Sequence, residues 1–211
     1  MYNGILSNAQ GSDYNINLSL WQWIFTKVKT PYDIAAPLKG INTGVQTNRD
    51  GTFVQDNLGL GIIQCDGGNL DNPDVFKRLP TVAYCLDDGR GVAEPKATGI
   101  GDGANIECRS IGIRCVPAVK VASDNTLSAD ENAIALLKTT VWNAFGRSLI
   151  IPIVDSTQTP VNGLYPQIGY AEILRPTLPR RPRFKDSLIV DRRDFDLTLE
   201  LRLQVQTYDG L

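Results

Sequence analysis

The chain has 211 residues, 42% of them hydrophobic, and a formal charge of −2 at pH 7. This length and apolar content support one large folded domain, and the mild acidity excludes a protein whose whole surface binds nucleic acid. Histidine is absent, which excludes the usual general base at neutral pH, the common zinc ligand and the ordinary serine or cysteine triad, and so argues against an enzyme.

Two observations argue against membrane insertion and export. No stretch of the chain approaches the roughly 18 consecutive apolar residues that a helix needs to cross a bilayer. The first residues, 1–13, lack a basic region followed by an apolar core. We therefore expect a soluble chain without a membrane partner.

The N-terminal region predicts an arm followed by a helix. Residues 1–17 are polar and are typical of an arm that becomes ordered only against a neighbouring subunit. Asn17 or Ser19 is suited to cap a helix, because apolar residues then recur at helical spacing. Pro31 is expected to end this helix.

A long turn-rich insertion follows the first helix. Residues 32–80 are rich in Gly, Asn, Asp and Pro and contain only short apolar pieces. Gly59-Leu60-Gly61 resembles the start of a phosphate-binding loop, but the third glycine and a following helix pattern are missing. We therefore predict hairpin turns here and no nucleotide site.

Two strands are predicted in the middle of the chain. Residues 81–86 are typical of a short strand, which ends at the turn Asp87-Asp88-Gly89-Arg90. In the next predicted strand, 106–116, the apolar parity changes near Arg109. Either a bulge or burial of both faces explains that change.

The second predicted helix begins with Ser128 as the cap in a capping box. Gly146 is placed to end this helix. Beyond it, residues 149–154 predict a strand in which Pro152 indicates an edge or a strand start. Residues 168–174 predict a further strand.

The last predicted strand is the longest, running from Asp194 to Gln206. Its apolar residues share one parity, beginning at Phe195, and its polar residues share the other, beginning at Asp196. One face is therefore expected to be buried and the other wet. At about 3.3 Å per residue the strand spans roughly 40 Å, so its backbone groups need a partner strand or another subunit.

Together these elements predict an α+β fold. Two helices are expected to pack on one face of a mostly antiparallel sheet, with a long turn-rich insertion at about 32–80 and an N-terminal arm. The expected boundaries are an arm at 1–17 and a single domain at 18–211.

The four cysteines are too far apart in the sequence for paired zinc knuckles. They are Cys65, Cys85, Cys108 and Cys115. We predict buried thiols, with disulfides within or between subunits as the alternative. Cys108 and Cys115 fall on opposite parities of a regular strand, so a bond between these two needs a bulge or a bend. No metal or cofactor site is predicted.

Two acidic groups invite a catalytic interpretation: Asp87 with Asp88, and Asp191 with Asp194 and Asp196. Paired carboxylates hold Mg²⁺ or divide acid and base roles when they are buried or convergent. The first pair has a turn sequence, and Asp196 lies on the wet parity. A solvated turn or face is therefore favoured over a catalytic site.

A basic loop lies near the C-terminus, within residues 175–185. Its charged residues are Arg175, Arg180, Arg181, Arg183 and Lys185. Such a loop attracts phosphates irrespective of base sequence, or acidic side chains of a neighbouring subunit. The overall charge favours a solvated loop or a subunit contact over a DNA contact.

The chain resembles the tail terminator, or tail completion, proteins of tailed bacteriophages in the order of its elements. These are a first amphipathic helix, strands at 81–86 and 106–116, a helix from Ser128 to Phe145, and a long alternating strand entered through Arg192-Arg193-Asp194-Phe195. The resemblance covers mainly residues 81–205 and the first helix, and it is one of pattern.

The resemblance implies an α+β subunit without a catalytic centre. Such subunits form a six-fold ring that caps the tail tube and docks it to the head-side connector, with possible passing contact to DNA in the lumen. It also implies assembly in the host cytoplasm and a final location in the tail or neck of the virion. The implied subunit contacts lie in the arm, the long strand and the basic loop, and the candidate residues are Phe195, Arg193, Arg180, Arg181, Arg183 and Trp23.

Three alternatives stay open. The insertion and the arm depart from the family pattern and leave other neck, connector, collar or baseplate roles. A carboxylate-based metal-dependent enzyme would use Asp87, Asp88 and the acidic group at 191–196. A carbohydrate- or protein-binding module would expose Trp21, Trp23 or Trp142, although packing residues are favoured for the first two.

Overall fold

The computed structural model of the chain describes most of its regular structure. The described residues are 5–6, 12–42, 44–47, 53–55, 58–65, 70, 78–86, 104–121, 127–174, 176–177, 189–191 and 193–206. The predicted turn at 87–90 and the basic residues Arg175, Arg180, Arg181, Arg183 and Lys185 lie outside them.

The helices form two continuous segments, each interrupted or ended by a wider π turn. They are α1 (Asp13–Ile24), a π turn at Phe25–Lys29, α2 (Thr30–Leu38), α3 (Glu131–Val141) and a second π turn at Trp142–Gly146. Among the described residues, no helix combines the length and the apolar character required to cross a membrane.

The first helix begins inside the predicted arm. Ser12 is its N-cap, and the Ser12 hydroxyl accepts a hydrogen bond from the Asn15 backbone N–H. Asn15 and Ile16 are buried. The predicted caps at Asn17 and Ser19 are therefore wrong. The apolar pattern does not reveal the true start of the helix, because Asn15 is polar but buried, and its Oδ1 accepts a hydrogen bond from the Ser156 N–H.

The first helix also continues beyond Pro31. A proline inside an α-helix lacks the N–H donor, and its ring clashes with the carbonyl one turn earlier. Here the wider π turn at Phe25–Lys29 precedes the proline, and the Thr30 N–H donates to the Phe25 carbonyl. Pro31 then occupies the first turn of α2, where its missing N–H costs little. The predicted helix end at Pro31 is wrong for this reason.

The cap of α3 is Asp130 instead of the predicted Ser128. Asp130 Oδ1 accepts from the backbone N–H groups of Asn132 and Ala133, over 3.0 and 3.3 Å. Ser128 lies in the strand that leads into the helix. A carboxylate also suits the positive end of the helix dipole. The helical segment ends at Gly146, as predicted.

Within the residues that the structure describes, thirteen strands accompany the helices. They are β1 (Ile5–Leu6), β2 (Val45–Thr47), β3 (Phe53–Gln55), β4 (Gly61–Gln64), β5 (Arg78–Leu79), β6 (Thr81–Leu86), β7 (Ala104–Val116), β8 (Val119–Val121), β9 (Leu127–Ala129), β10 (Ile150–Val154), β11 (Gln167–Leu174), β12 (Ile189–Asp191) and β13 (Phe195–Gln206).

The main sheet has the order β10-β11-β13-β7-β6-β4, and β1 also pairs with β13. Described neighbours in this sheet run antiparallel except β4 with β6 and β1 with β13. Two further three-stranded sheets have the orders β12-β9-β8 and β3-β2-β5. The predicted α+β fold with a mostly antiparallel sheet is confirmed.

The longest strands, β7 and β13, pair with each other along their length. Their register runs from Phe195 opposite Cys115 to Gln206 opposite Ala104 without a shift. A bulge is therefore not the cause of the change of parity near Arg109. Both faces of β7 are buried from Ser110 to Val116. The partner that the long strand needs is supplied by the same chain.

The N-terminal residues Ile5 and Leu6 also join this sheet. They pair in parallel with Gln204 and Val205 of β13, and Leu6 is buried in the core. A Cβ added at Gly169 would lie 2.5 Å from Leu6 Cδ2, which shows how closely β1 approaches β11. This part of the predicted arm is ordered against its own chain, so the expectation that it orders only against a neighbour is wrong here.

Two hydrophobic clusters lie on opposite faces of the main sheet. Alternate residues of β6 show this, because Val82 and Tyr84 belong to the large cluster under the helices, while Ala83 and Cys85 belong to a smaller one. The smaller cluster contains Cys65, Leu70, Leu79, Ala83, Cys85, Val116 and Val119. Near β4, β6 and the start of β13, both faces of the sheet are therefore covered.

β10 is an edge strand of the main sheet, as Pro152 indicated. The Ile173 N–H donates to the Leu149 carbonyl, so the alternate positions Pro152 and Val154 direct their backbone away from β11. Pro152 has no N–H, and the Val154 N–H donates to the Ser19 hydroxyl over 3.0 Å. Neither backbone nitrogen can therefore donate a hydrogen bond to a further strand.

Candidate functional site

Two of the candidate subunit-contact residues, at the start of β13, instead make contacts within the chain. Arg193 forms an ion pair with Glu131 in the first turn of α3. Phe195 is 0% exposed, and Lys138 Nζ lies 5.6 Å from its ring centroid. The proposed subunit contact of Phe195 is therefore wrong, because its side chain belongs to the core.

Trp23 connects the two helical segments. Its indole N–H donates to the Ala144 carbonyl over 3.0 Å, and Lys27 Nζ lies 5.4 Å from its ring centroid. Trp21 is more exposed and stacks on Phe25, with centroids 5.2 Å apart. Both tryptophans thus act as packing residues, and the half-buried Trp23 contributes an intramolecular bond in addition.

The candidate arginines of the basic loop, Arg180, Arg181 and Arg183, lie outside the described residues. Their assignment to a subunit contact, with DNA contact as the less favoured alternative, stays a prediction.

All four cysteines lie within the described residues and are thiols. Cys65, Cys85 and Cys115 are buried and Cys108 is half-buried, so the expected burial is confirmed for three of them. Burial raises the pKa of the Cys115 thiol, and the charges of Asp196 and Asp194 raise it further. Cys115 is accordingly a poor nucleophile.

Asp194 and Asp196, two of the three acidic residues at 191–196, do not lie on a solvated face. Asp196 is buried on the face of the main sheet opposite the helices, which we call the second face. It accepts two hydrogen bonds from Arg114. Asp194 is also buried. The wet parity predicted for β13 is therefore wrong at Asp196, because residues distant in sequence cover that face. Within the part of the chain that the structure describes, no three His, Cys, Asp or Glu side chains are grouped to hold a metal ion.

Sequence reasoning did not single out an exposed apolar surface beside α2. We call it the α2 patch, and it consists of Ile34 and Leu38, of which Leu38 is 85% exposed, together with the exposed Leu58, whose carbonyl accepts a hydrogen bond from Lys29 Nζ. Ile34 and Leu38 are one helical turn apart and therefore adjacent on the helix. Leu58 directly precedes the Gly59–Leu60 turn. This turn is hydrogen-bonded to Asp33 of the same helix.

A polar clamp holds the Gly59–Leu60 turn against the helix. Lys29 Nζ donates to Asp33 Oδ2 over 2.7 Å and to the Leu60 carbonyl over 2.8 Å. The Leu60 N–H donates to Asp33 Oδ1 over 2.7 Å. At Gly59, with φ of +76°, a Cβ would lie 2.5 Å from that same oxygen. The α2 patch therefore has a fixed position next to β4.

A second exposed apolar surface lies at the other edge of the sheet. We call it the β10 patch, and it consists of Leu149, Ile150 and Tyr170, of which Leu149 is 79% exposed. Leu149 and Ile150 are at the start of β10, and Tyr170 lies opposite Pro152 on β11. Ile150 and Tyr170 share the face of the sheet that points away from the helices, whereas Leu149 has the parity of the buried Ile151 and Ile153. The β10 patch is therefore exposed on both faces of this edge.

The two patches flank opposite ends of one sheet. The α2 patch is next to β4, and the β10 patch is on β10, and these are the two terminal strands of the described sheet order. Exposed leucines occur singly on most proteins, but grouped apolar residues of this kind are typical of contact surfaces.

Comparison with known proteins leaves the chain without an assigned family. A scan against models of protein families found no match, and neither did a search of curated protein sequences.

The site residues therefore fall into two classes. The buried ones, such as Phe195 and Asp196, stabilise the fold, whereas the two patches are available for burial against another protein. The patches have no signal in the sequence, because a leucine in an amphipathic helix or a strand is normally assigned to the core.

Proposed function

We propose that the chain is a structural protein of a tailed-phage virion, a ring-forming tail terminator that joins the tail tube to the head-side connector. The resemblance in element order supports this proposal, and the observed α+β fold is the one that the resemblance implies. The proposed subunit contacts form in the host cytoplasm and persist in the neck of the virion.

The observation that carries the proposal is the pair of apolar patches at opposite ends of the sheet. A closed ring joins neighbouring subunits head to tail, so each subunit needs two different contact surfaces on well-separated sides. We propose the α2 patch and the β10 patch, beside the two terminal strands of the described sheet order, as this pair. We propose that the α2 patch of one copy packs on the β10 patch of the next.

The chemistry of the patches fits a second copy of this chain. Burying an exposed leucine or isoleucine is worth about 1.5–3 kcal/mol, so Leu38 and Leu149 together are substantial anchors. The exposed Lys39 follows Leu38, and the half-exposed Glu172 lies opposite Ile150. These two charges have opposite signs and would attract at the rim of such a contact, where Lys39 would share Glu172 with Arg202 of the same chain, 3.5 Å from the carboxylate.

The test is the native mass of the purified chain, measured by light scattering after size exclusion and followed by negative-stain imaging. We expect closed rings for the natural chain and monomers for Leu38→Asp and for Leu149→Asp. Val161→Asp is the matched control, because Val161 is also an exposed apolar residue but lies in the turn between β10 and β11. A natural chain that stays monomeric at high concentration, or a control variant that also loses its rings, would contradict the proposal.

The location of the ring separates the terminator from the alternatives. Gold-labelled antibody against the chain should mark intact particles at the head-proximal end of the tail. Label at the distal end would instead support the baseplate role. Label at a collar outside the tail axis would support the collar role.

A further inference from the structure

Two cysteines far apart in sequence lie opposite each other on neighbouring strands. β4 and β6 pair in parallel, from Gly61 opposite Thr81 to Gln64 opposite Tyr84. The next hydrogen bond continues the pattern, because the Cys65 N–H donates to the Tyr84 carbonyl over 2.8 Å. In a parallel ladder that bond places Cys65 directly across from Cys85.

The two side chains also point to the same side of the sheet. Cys65 and Cys85 both belong to the small hydrophobic cluster on the second face, and both are buried. Neighbouring strands lie about 4.8 Å apart. That spacing is within the range of about 4.4–6.8 Å over which the Cα atoms of two cysteines can be bridged.

We propose that Cys65 and Cys85 are the site of a disulfide that joins β4 to β6 within one chain. Cys65, which is 4% exposed whereas Cys85 is 0% exposed, attacks one sulfur of a low-molecular-weight disulfide such as oxidised glutathione and releases one small thiol. Cys85 then attacks the Cys65 sulfur and releases the second small thiol. The reagent gains the two electrons and the two protons that the cysteines lose, and one protein disulfide forms.

The other two cysteines are placed differently. Cys115 lies opposite Val82 and Phe195, on the face covered by the helices. Cys108 lies opposite Arg202 on β13. The register therefore assigns one intrachain pairing and leaves Cys108 and Cys115 as thiols.

The bond would close a loop around residues 66–84. This loop contains Leu70, whose carbonyl accepts a hydrogen bond from Arg114 Nη1 over 3.0 Å. The disulfide and Arg114 would thus fix the same segment to the second face of the sheet, one covalently and the other through its charge. The edge strand β4 would then be unable to separate from β6.

Peptide mapping tests the pairing directly, because trypsin places each cysteine in a different fragment. Cys65 falls in 50–77, Cys85 in 79–90, Cys108 in 97–109 and Cys115 in 115–120. The chain is treated with oxidised glutathione, its remaining thiols are alkylated in denaturant, and the digest is analysed by mass spectrometry. We expect fragment 50–77 joined to 79–90, and alkylation of Cys108 and Cys115 alone.

Two variants and one gel complete the test. Cys108→Ser should leave the joined fragments unchanged, whereas Cys65→Ser should abolish them and leave Cys85 alkylated or carrying glutathione. A non-reducing gel should show the oxidised chain as a monomer. The proposal is overturned if Cys65 and Cys85 are both alkylated after oxidation of the natural chain, if either joins Cys108 or Cys115, or if the link joins two chains.

Discussion

Arg114 and Asp196 lie directly opposite each other on β7 and β13, and the guanidinium donates to both carboxylate oxygens, over 2.9 and 3.0 Å. Arg114 is 2% exposed. A buried ion pair with two hydrogen bonds has one favourable geometry. If either strand slipped by one residue, its charged side chain would point toward the main core. The pair therefore fixes the register of the two longest strands.

We expect Asp196→Asn to destabilise the fold by about 3–5 kcal/mol, because it removes the negative charge that accepts two hydrogen bonds from the buried Arg114. Unfolding in urea, followed by circular dichroism, measures this change. Glu200→Gln is the matched control, since Glu200 is on the same strand and face but half-buried. The control should change the free energy of unfolding by no more than about 0.5 kcal/mol. Equal losses in the two variants would show that Arg114 does not depend on Asp196.

A second prediction concerns the close approach of Gly146 to Trp142. A Cβ at Gly146 would overlap the body of the indole ring. Gly146→Ala should therefore displace Trp142, destabilise the chain by about 1–3 kcal/mol and shift the tryptophan fluorescence. Gly163→Ala provides the comparison, because Gly163 has φ of +77° with no atom within 4 Å of an added Cβ. Gly163→Ala should lower the free energy of unfolding by about 1–2 kcal/mol through backbone strain and leave the tryptophan fluorescence unchanged. Unchanged fluorescence in Gly146→Ala would refute the predicted displacement.

The hydroxyl groups of two buried tyrosines should contribute differently to the stability of the fold at neutral pH. The Tyr84 hydroxyl donates to the Asn17 carbonyl over 3.1 Å. The Tyr32 hydroxyl is buried and has no hydrogen-bond partner among the described residues. Tyr84→Phe should therefore cost about 1 kcal/mol, whereas Tyr32→Phe should be neutral or slightly stabilising. Urea unfolding of the two variants in parallel measures both losses in free energy of unfolding. A larger loss for Tyr32→Phe than for Tyr84→Phe would contradict the prediction.

The same tyrosines predict a loss of stability at alkaline pH. Burial raises the pKa of both, with an additional contribution from the charges of Asp130 and Asp33 at Tyr32 and from Cys65 at Tyr84. The unfolded chain ionises near the ordinary tyrosine pKa of about 10, below the folded values. The stabilising contribution is therefore complete below that pH and is lost as the pH rises toward the folded pKa.

Urea unfolding at about pH 8 and about pH 11 measures this dependence. We expect a clear loss of stability in the natural chain between the two conditions and a smaller one in Tyr32→Phe and Tyr84→Phe. Tyr170→Phe serves as the control, because Tyr170 is exposed and should not alter the dependence. If all three variants lose as much stability as the natural chain, titration of the buried tyrosines is not the cause.

The fold class followed from local patterns, most directly from the alternation in the last strand. Phe195 and Leu197 share a buried parity that β13 retains in the structure. The start and end of the first helix did not follow, because Asn15 is buried through a hydrogen bond and Pro31 is accommodated by a π turn. Neither feature has an apolar signal in the sequence.

The buried role of Asp196 depends on contacts that are distant in the sequence. Alternation indicates that two faces differ, but it does not show that Arg114 and Leu70 cover the polar one. A usable signal was present in β7, where Arg114 interrupts the apolar run Ile113 to Cys115. A lone charge between buried residues needs a partner of opposite sign, and the start of β13 offers Asp196.

The closed edge at β10 has a consequence for the behaviour of the chain at high concentration. An open strand edge templates the addition of further strands and, in the extreme, fibrillar aggregation. Pro152 cannot donate to an incoming strand, and the Val154 N–H is occupied by Ser19. At high concentration the chain is thus protected at these two positions against growth into amyloid-like fibres, while the side chains of the β10 patch remain exposed there.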